Sequence, residues 1–252
     1  MTSTTVDPRL EEHRSVWEKK PALRLIYEDY HRRMLAAMPN GGEGDKILEI
    51  GSGSGHLREF AEDVVTIDVL PSPWIDAVAD AHKLPFADNS FDGMVMLDVL
   101  HHLERPSEFF AETVRLLKPG GRFAFIEPGI TALSWLFYNF IHEEPVDMSV
   151  NPMIDPEPDP FRDPFDANQG VPTLMFHRQE HRITFMERFP ELRMVSRGWL
   201  SLAAYPMTGG FQKWCLIPAA LVPGALKLEQ AIMPFIGQFT AFRLMVVLEK
   251  KA

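Results

Sequence analysis

The apolar residues of the chain fall into strand-like runs and helical stripes. Ile47–Ile50 is a short apolar run that predicts a buried strand, and it leads into a glycine-rich turn. Ahead of it, residues 23–38 place apolar side chains three to four positions apart, which predicts an amphipathic helix that ends at residues 40–42. Further on, residues 106–117 repeat the helical spacing, and residues 122–127 form another apolar run. The pattern predicts a chain of mixed helices and strands.

Three glycines after the first strand are the strongest indication of function. Gly51, Gly53 and Gly55 have no Cβ and adopt positive φ freely, so a ligand can lie almost against the backbone. His56 stands where a dinucleotide fingerprint has its third glycine. Residues 55–57 also lack the Gly-Lys-Ser/Thr ending of a triphosphate loop. The turn therefore predicts a cofactor seat for a ligand that is not bound through phosphate.

From the glycine turn onward, five segments in order resemble the class I S-adenosylmethionine-dependent methyltransferases. The resemblance covers roughly residues 45–128, and it begins with an acidic residue, Glu49, two positions before the first glycine. The later segments resemble the second strand, the adenine station, the fourth strand and the fifth strand of that family. They are residues 64–68, 79–86, 91–98 and 122–127.

The resemblance implies an α/β fold in one domain, residues 1–252. The sheet is expected to be doubly wound, seven-stranded and mostly parallel, in the order 3-2-1-4-5-7-6, with its last two strands antiparallel. The sequence then divides into four parts by function within that domain. They are an N-terminal helical cap at 9–40, a cofactor-binding core at 45–128, a helix, proline-rich lid and helix at 129–190, and the last two strands with an apolar insert, at 191–252.

The same resemblance implies the cofactor and its contacts. S-adenosylmethionine is the expected cofactor, with S-adenosylhomocysteine as its product. Asp68 is expected to bind the ribose hydroxyls, Asp80 the adenine amino group and the Ala81 amide a ring nitrogen. Only 17 positions separate Gly51 from Asp68, so the helix after the glycine loop is expected to be about a turn short. The expected cofactor-binding residues are Glu49, Gly51, Ser52, Gly53, Asp68, Val69, Asp80, Ala81, Leu97 and Asp98, with no metal ligands.

Two additions to the core predict where an acceptor would bind. Residues 145–170 combine proline and acidic residues at a density that forbids a regular helix, and they leave from a strand end, which favours a lid over the site. Residues 204–240 form an apolar, proline-punctuated insert. Either two buried helices or an apolar surface for a lipid-linked substrate, a membrane face or a second subunit fits this insert. No membrane span is expected, because charges and prolines interrupt the run.

Histidines near the predicted mouth of the sheet are candidates for the catalytic base. Methyl transfer to oxygen requires a group that takes up the acceptor's proton, and imidazole titrates near neutrality. His101 follows the fourth strand, and His142 lies where the lid begins, so these two are the predicted catalytic residues. His102 is assigned to a structural or cofactor-side contact.

Charge and composition limit the classes of binding partner and the cellular compartment that we expect. The 252 residues carry a net charge of −10 without a basic run, which disfavours nucleic acid. The single cysteine, Cys215, is interpreted as a buried apolar residue and fits a reducing compartment. No secretory signal is visible at the N-terminus, so a cytoplasmic location is expected.

The sequence thus predicts methyl transfer, favouring oxygen, to a small-molecule or lipid- or glycan-linked acceptor, with peripheral membrane contact and oligomeric state left open. Two alternatives remain. One is an inactive module that binds S-adenosylmethionine, and the other is a nicotinamide-dependent oxidoreductase, which His56 disfavours.

Overall fold

A seven-stranded sheet runs through the protein, whose computed structural model describes residues 6–61, 64–140 and 145–252. The strand order is β3-β2-β1-β4-β5-β7-β6, which confirms the predicted order. All the strands are parallel except β7, which is antiparallel to both of its neighbours. The strands are β1 (Ile47–Ile50), β2 (Val64–Asp68), β3 (Ala77–Val78), β4 (Phe91–Leu97), β5 (Leu117–Pro128), β6 (Leu192–Leu200) and β7 (Arg243–Lys250).

Helices cover both faces of the sheet and divide the core into two layers. One layer, on the side of α3, α5 and α6, is rich in phenylalanine, and the other lies under the N-terminal helices and α8. The helices are α1 (Pro8–Lys19), α2 (Pro21–Ala36), α3 (Pro106–Leu116), α4 (Ala132–Phe140), α5 (Val171–Phe176), α6 (Gln179–Arg188), α7 (Ala204–Thr208) and α8 (Val222–Thr240).

The N-terminal cap consists of two helices that join at a proline. The side chain of Asp7 caps α1 by accepting from the amide of Arg9 at 2.9 Å, and Pro21 begins α2. Between them lies Lys20, whose buried ammonium donates to the carbonyl oxygens of Thr208 (2.8 Å) and Gly210 (2.9 Å). The cap is thereby attached to the insert near the other end of the chain.

The segment after the glycine loop is shorter than predicted. The sequence predicts a helix about one turn short here, but the described residues between Gly55 and β2 form only one 3-10 turn, Leu57–Glu59. The side chain of Leu57 is buried in the layer beneath the N-terminal helices, so this turn still covers the sheet. The strand ends that form the site are unaffected, because they belong to β1 and β2.

The apolar insert forms a short helix, α7, and one long helix, α8. Pro223 lies in the first turn of α8, where a missing amide costs nothing, and Pro234 lies inside the helix. Much of α8 is exposed, so the interpretation of two buried helices is wrong. By length and composition alone, Ala219–Thr240 is the one helical segment among the described residues that could cross a bilayer.

Candidate active site

The glycine loop requires glycine for reasons of both strain and space. Gly51, Gly53 and Gly55 all have positive φ, of 68°, 52° and 74°. A Cβ on Gly51 would lie 2.3 Å from Cγ2 of Val99, and one on Gly55 would lie 2.7 Å from Cβ of Trp74. The backbone of the loop is therefore packed closely against the segments that follow β2 and β4, at the carboxyl end of the sheet.

Asp68 ends β2 directly beside this loop. Its Oδ2 accepts from the amide of Gly53 at 2.8 Å, and its Oδ1 accepts from the amide of Leu70 at 2.8 Å. Burial raises the pKa of Asp68, although these amide hydrogen bonds favour its charged form. The neighbouring Val69 is half exposed and presents an apolar side chain beside the carboxylate. A carboxylate and an apolar contact lie side by side at this strand end.

Asp80 and Ala81 lie on the next strand connection outward from Asp68. The amide of Ala79 donates to the backbone oxygen of Asp68 at 2.9 Å, which holds the two segments together. Oδ1 of Asp80 accepts from the amide of His82 at 2.9 Å and lies 2.6 Å from its ring Nδ1. The side chain of Asp80 is half exposed. The structure thus brings the predicted adenine residues next to the predicted ribose residue.

Glu49 lies at the floor of the cleft with an uncompensated carboxylate. The residue is buried, and its Oε2 has no hydrogen-bond partner within the part of the chain that the structure describes. Burial raises the pKa of Glu49 to about 7. The side chain of Ser52, in the glycine loop, is buried beside this carboxyl group and favours its charged form. These two groups give the cleft a polar floor that a cationic, hydrogen-bonding ligand fits.

Asp98, directly after Leu97 at the end of β4, has a different environment. Its φ of 58° is unusual for a residue other than glycine. Its carboxylate accepts from the hydroxyl of Tyr27 at 3.2 Å and forms an ion pair with the buried guanidinium of Arg243. That guanidinium lies 4.0 Å from the ring centroid of Tyr205. The predicted cofactor residue Asp98 is thus engaged by side chains of the cap and of β7.

The predicted base His101 is paired with a carboxylate that the sequence did not single out. Its Nδ1 lies 2.6 Å from Oε2 of Glu127, near the end of β5, and both side chains are buried. The second oxygen of Glu127 accepts from the amides of Val99 (2.8 Å) and Leu100 (2.7 Å). Glu127 therefore fixes both the turn after β4 and the imidazole. The other predicted base, His142, lies outside the described residues.

Asp98, His101 and Glu127 each place a ligand-type atom within 4.8 Å of the others. A carboxylate and imidazole set of this kind is able to hold a divalent ion. Here the positive partner of Asp98 is Arg243, while Glu127 receives three donors. These contacts satisfy the carboxylates with protein groups.

Aromatic side chains from separate segments form a roof above the glycine loop. The ring of His56 stacks on Trp17 at 3.8 Å, and its pKa is lowered to about 3 by burial and neighbouring cationic groups. The ring of His13 stacks on Phe211 at 4.5 Å and meets the edge of Phe165 at 6.0 Å. The cap, the insert and the proline-rich segment therefore meet over the loop.

The proline-rich segment crosses the mouth of the cleft without forming a helix or strand in residues 145–170. The amide of Asn168 donates to the carbonyl of His101 at 2.9 Å, and Oδ1 of Asp155 accepts from the amide of Ser107 at 3.0 Å. Asp163 forms an ion pair with Arg9 of the cap at 2.8 Å.

Cys215 is exposed, so its interpretation as a buried apolar residue is wrong.

Comparison with known proteins agrees with this architecture. Residues 48–125 match the family model described as a methyltransferase domain. Demethylmenaquinone methyltransferases from Renibacterium salmoninarum and Symbiobacterium thermophilum are 34% and 32% identical over 110 and 124 residues. These alignments cover 38% and 40% of this chain and 46% and 49% of the relatives, so the chain spans about half the length of the curated relatives it matches.

A solved structure resembles the chain over nearly its whole length. The SAM dependent methyltransferase from Archaeoglobus fulgidus has a TM-score of 0.52 and 14% identity, covering 90% of this chain and 94% of that one. At this identity the similarity concerns the fold. Residues 48–125 therefore match a methyltransferase domain, set in a fold shared with a SAM dependent methyltransferase.

Proposed function

We propose that this chain transfers a methyl group from S-adenosylmethionine to an oxygen atom of a small-molecule or lipid- or glycan-linked acceptor in the cytoplasm. S-adenosylmethionine supplies a methyl group that is already electrophilic because it is carried on a sulfonium. The protein has to bind it, align the acceptor and take up a proton. The observation that carries the proposal is the buried pair of His101 and Glu127, 2.6 Å apart, beside the glycine loop.

The residues around the loop match the parts of the cofactor in chemistry. Asp68 offers carboxylate oxygens to ribose hydroxyls, and Asp80 with the Ala81 amide suits the edge of adenine. Val69 offers an apolar contact for the flat ring. Glu49 and Ser52 are buried polar groups, and the Glu49 carboxylate suits the ammonium group at the amino-acid end. The residues present therefore fit S-adenosylmethionine.

The pairing with Glu127 suits His101 to the role of base. A proton on Nδ1, facing the carboxylate at 2.6 Å, makes Nε2 the basic nitrogen of the ring. In the proposed step, His101 would take the hydroxyl proton of the acceptor as the oxygen bonds to the methyl carbon, and the carbon–sulfur bond would break to release S-adenosylhomocysteine. Glu127 then stabilises the imidazolium that results. His142 stays a second candidate for the same task.

Transfer to a ring carbon is a second candidate reaction. It is favoured by the relatives, among them one named a C-methyltransferase of ubiquinone and menaquinone biosynthesis in Stutzerimonas stutzeri. Removal of a phenolic proton by His101 would serve this reaction too, since a phenolate is nucleophilic at oxygen and at the adjacent ring carbon. The aromatic roof of His13, Phe211 and Phe165 suits a planar acceptor in either case.

A reduced naphthoquinone is the probe for testing the reaction. We expect methyl transfer from radiolabelled S-adenosylmethionine, and product analysis distinguishes the methyl ether from the ring-methylated compound. His101→Gln should lower kcat by about 10²- to 10⁴-fold, the range for loss of a general base, with unchanged affinity for S-adenosylhomocysteine. His181→Gln, on α6, is the matched control.

Full turnover by His101→Gln would assign the proton to another group, and His142→Gln then tests the remaining candidate. Calorimetric binding of S-adenosylhomocysteine without turnover on any hydroxylated acceptor would instead support the inactive binding module. Tight binding of NADH in place of S-adenosylhomocysteine would contradict the proposed cofactor.

A further inference from the structure

Two helices beside the mouth of the cleft expose a continuous set of large apolar side chains. Helix α4 follows the end of β5, helix α8 leads into the start of β7, and the two helices contact each other. The link between α8 and β7 also packs on this region, because the ring of Phe137 lies 5.3 Å from that of Phe242 and Thr131 Oγ1 donates to the carbonyl of Ala241. We call the exposed side chains the apolar face. They are Leu133, Trp135, Leu136 and Phe140 on α4, and Leu221, Leu228, Phe235 and Phe239 at and along α8.

The side chains of the apolar face are too exposed to belong to the hydrophobic core. The side chains of Phe140 and Phe235 are 76% and 78% exposed. Along α8 the exposed apolar residues follow one another at intervals of seven, seven and four positions, which places them on one side of the helix. The inner side, with Val222, Met233 and Gly237, packs on the rest of the protein. Apolar stripes of this size on an outer surface mark binding surfaces.

The charges around the apolar face indicate what covers it. The sequence has 35 acidic residues, yet residues 132–140 contain none and residues 219–240 contain only Glu229. Glu229 is turned inward, where its Oε1 accepts from the amides of Ala203 and Ala204, both at 2.7 Å. The exposed charge of the two helices is therefore the single cation of Lys227. The protein has a net charge of −10, yet α4 and α8 present no acidic side chain to the outside.

We propose that the apolar face docks on a lipid bilayer, with α4 and α8 lying in the interface. A helix that buries one apolar side among acyl chains needs no shape-matched groove, and a positive charge near it favours anionic headgroups. The exposed Trp135 on α4 is of a residue type typical of the interfacial region. A neutral stripe that carries the single cation of Lys227 is complementary to such a surface.

Docking by this face orients the cleft toward the membrane. The first residue of β7, Arg243, comes three positions after the end of α8 and pairs with Asp98 in the site. The start of α4 comes four positions after the last residue of β5. An acceptor dissolved in the bilayer thereby lies near the mouth, a step that rests on the proposed methyl transfer, whereas the docking itself does not.

Vesicle flotation tests the docking. The full chain is mixed with phosphatidylcholine vesicles or with phosphatidylcholine vesicles containing phosphatidylglycerol, and the fraction that floats is measured. We expect flotation that is stronger with the anionic lipid. Phe235→Ser with Phe239→Ser should weaken partitioning by at least about tenfold, because each phenylalanine loses its transfer from water to the apolar phase.

The control pair is Ile183→Ser with Val195→Ser, which removes two exposed apolar side chains of α6 and β6, outside the apolar face. It should float as the unsubstituted chain does. Calorimetry with S-adenosylhomocysteine on all three proteins verifies that the site is intact, and it reports on the proposed cofactor independently of docking.

Absence of flotation with both lipid mixtures would overturn the proposal, as would equal loss in the control pair. A dimer that forms with rising concentration and is abolished by Phe235→Ser with Phe239→Ser, without vesicle binding, would assign the face to self-association instead.

Discussion

Asp68 and Asp98 lie at the carboxyl ends of β2 and β4, on either side of β1, yet different groups hold their carboxylates. Asp68 is held by the amides of Gly53 and Leu70, which come from the glycine loop and from its own loop. Asp98 is held by Tyr27 from the cap and Arg243 from β7. Burial raises the pKa of both carboxyl groups. The comparison teaches that one carboxylate is held by backbone amides close to it in the site, while the other joins distant segments of the chain through an ion pair.

The largest effect is expected on the Asp98 side. Arg243→Met removes the cation and leaves a buried carboxylate, so we expect the free energy of unfolding to fall by about 3–5 kcal/mol. Chemical denaturation monitored by circular dichroism measures it. The double variant Arg243→Met with Asp98→Asn is the control, and it should recover part of the loss because no charge is then left unpaired. Equal stability of the single variant and the unsubstituted chain would contradict a structural role for this pair.

A smaller effect, of a different kind, is expected on the Asp68 side. Asp68→Asn keeps an oxygen that accepts from the amide of Gly53 but removes the charge that faces the ribose. Affinity for S-adenosylhomocysteine should fall by about 1–3 kcal/mol, as for loss of hydrogen bonds to a charged group. Calorimetry measures the affinity, and denaturation should show little change in stability. Unchanged affinity would mean that the end of β2 does not bind the cofactor.

The smallest effect depends on pH and concerns Glu49. Its raised pKa, about 7, means that it is protonated below that pH in the free protein. Binding of the cationic amino-acid end requires the ionised form, so affinity for S-adenosylhomocysteine should rise as pH increases toward about 7 and then level off. The change is at most about tenfold per pH unit, since one proton is released.

Calorimetry in buffers of different ionisation enthalpy counts that proton directly. Glu49→Gln is the matched control, because its side chain does not titrate and its affinity should no longer vary in this range. The interpretation would be wrong if the unsubstituted chain and Glu49→Gln had the same pH dependence.

The core could be predicted from the sequence because its signals are local. Glycines at 51, 53 and 55 specify their own backbone, and the apolar runs of β1, β2 and β4 specify their burial. Parallel strands then bring their ends to one edge, which is why Asp68 and Asp80 meet as expected.

The rest of the site depends on contacts that local signals do not contain. Asp98 and Arg243 lie 145 positions apart, and nothing in either segment indicates its partner. In the sequence, Glu127 does not differ from other strand residues, and only the structure shows that amides of the turn after β4 donate to its carboxylate. For the same reason the sequence does not determine what the outer side of α8 contacts, because an apolar stripe indicates an amphipathic helix without showing what covers it.

Lys20 has a consequence for how the chain is made. Its ammonium, whose pKa burial lowers, binds carbonyl oxygens of residues 188 and 190 positions later. During synthesis the first two helices therefore emerge long before the residues that receive this side chain. Closing so long a loop precedes any gain from the contact. The Lys20 contact should therefore form only after residues 208–210 have been made, later than the contacts of the same two helices with Glu59 and Asp98.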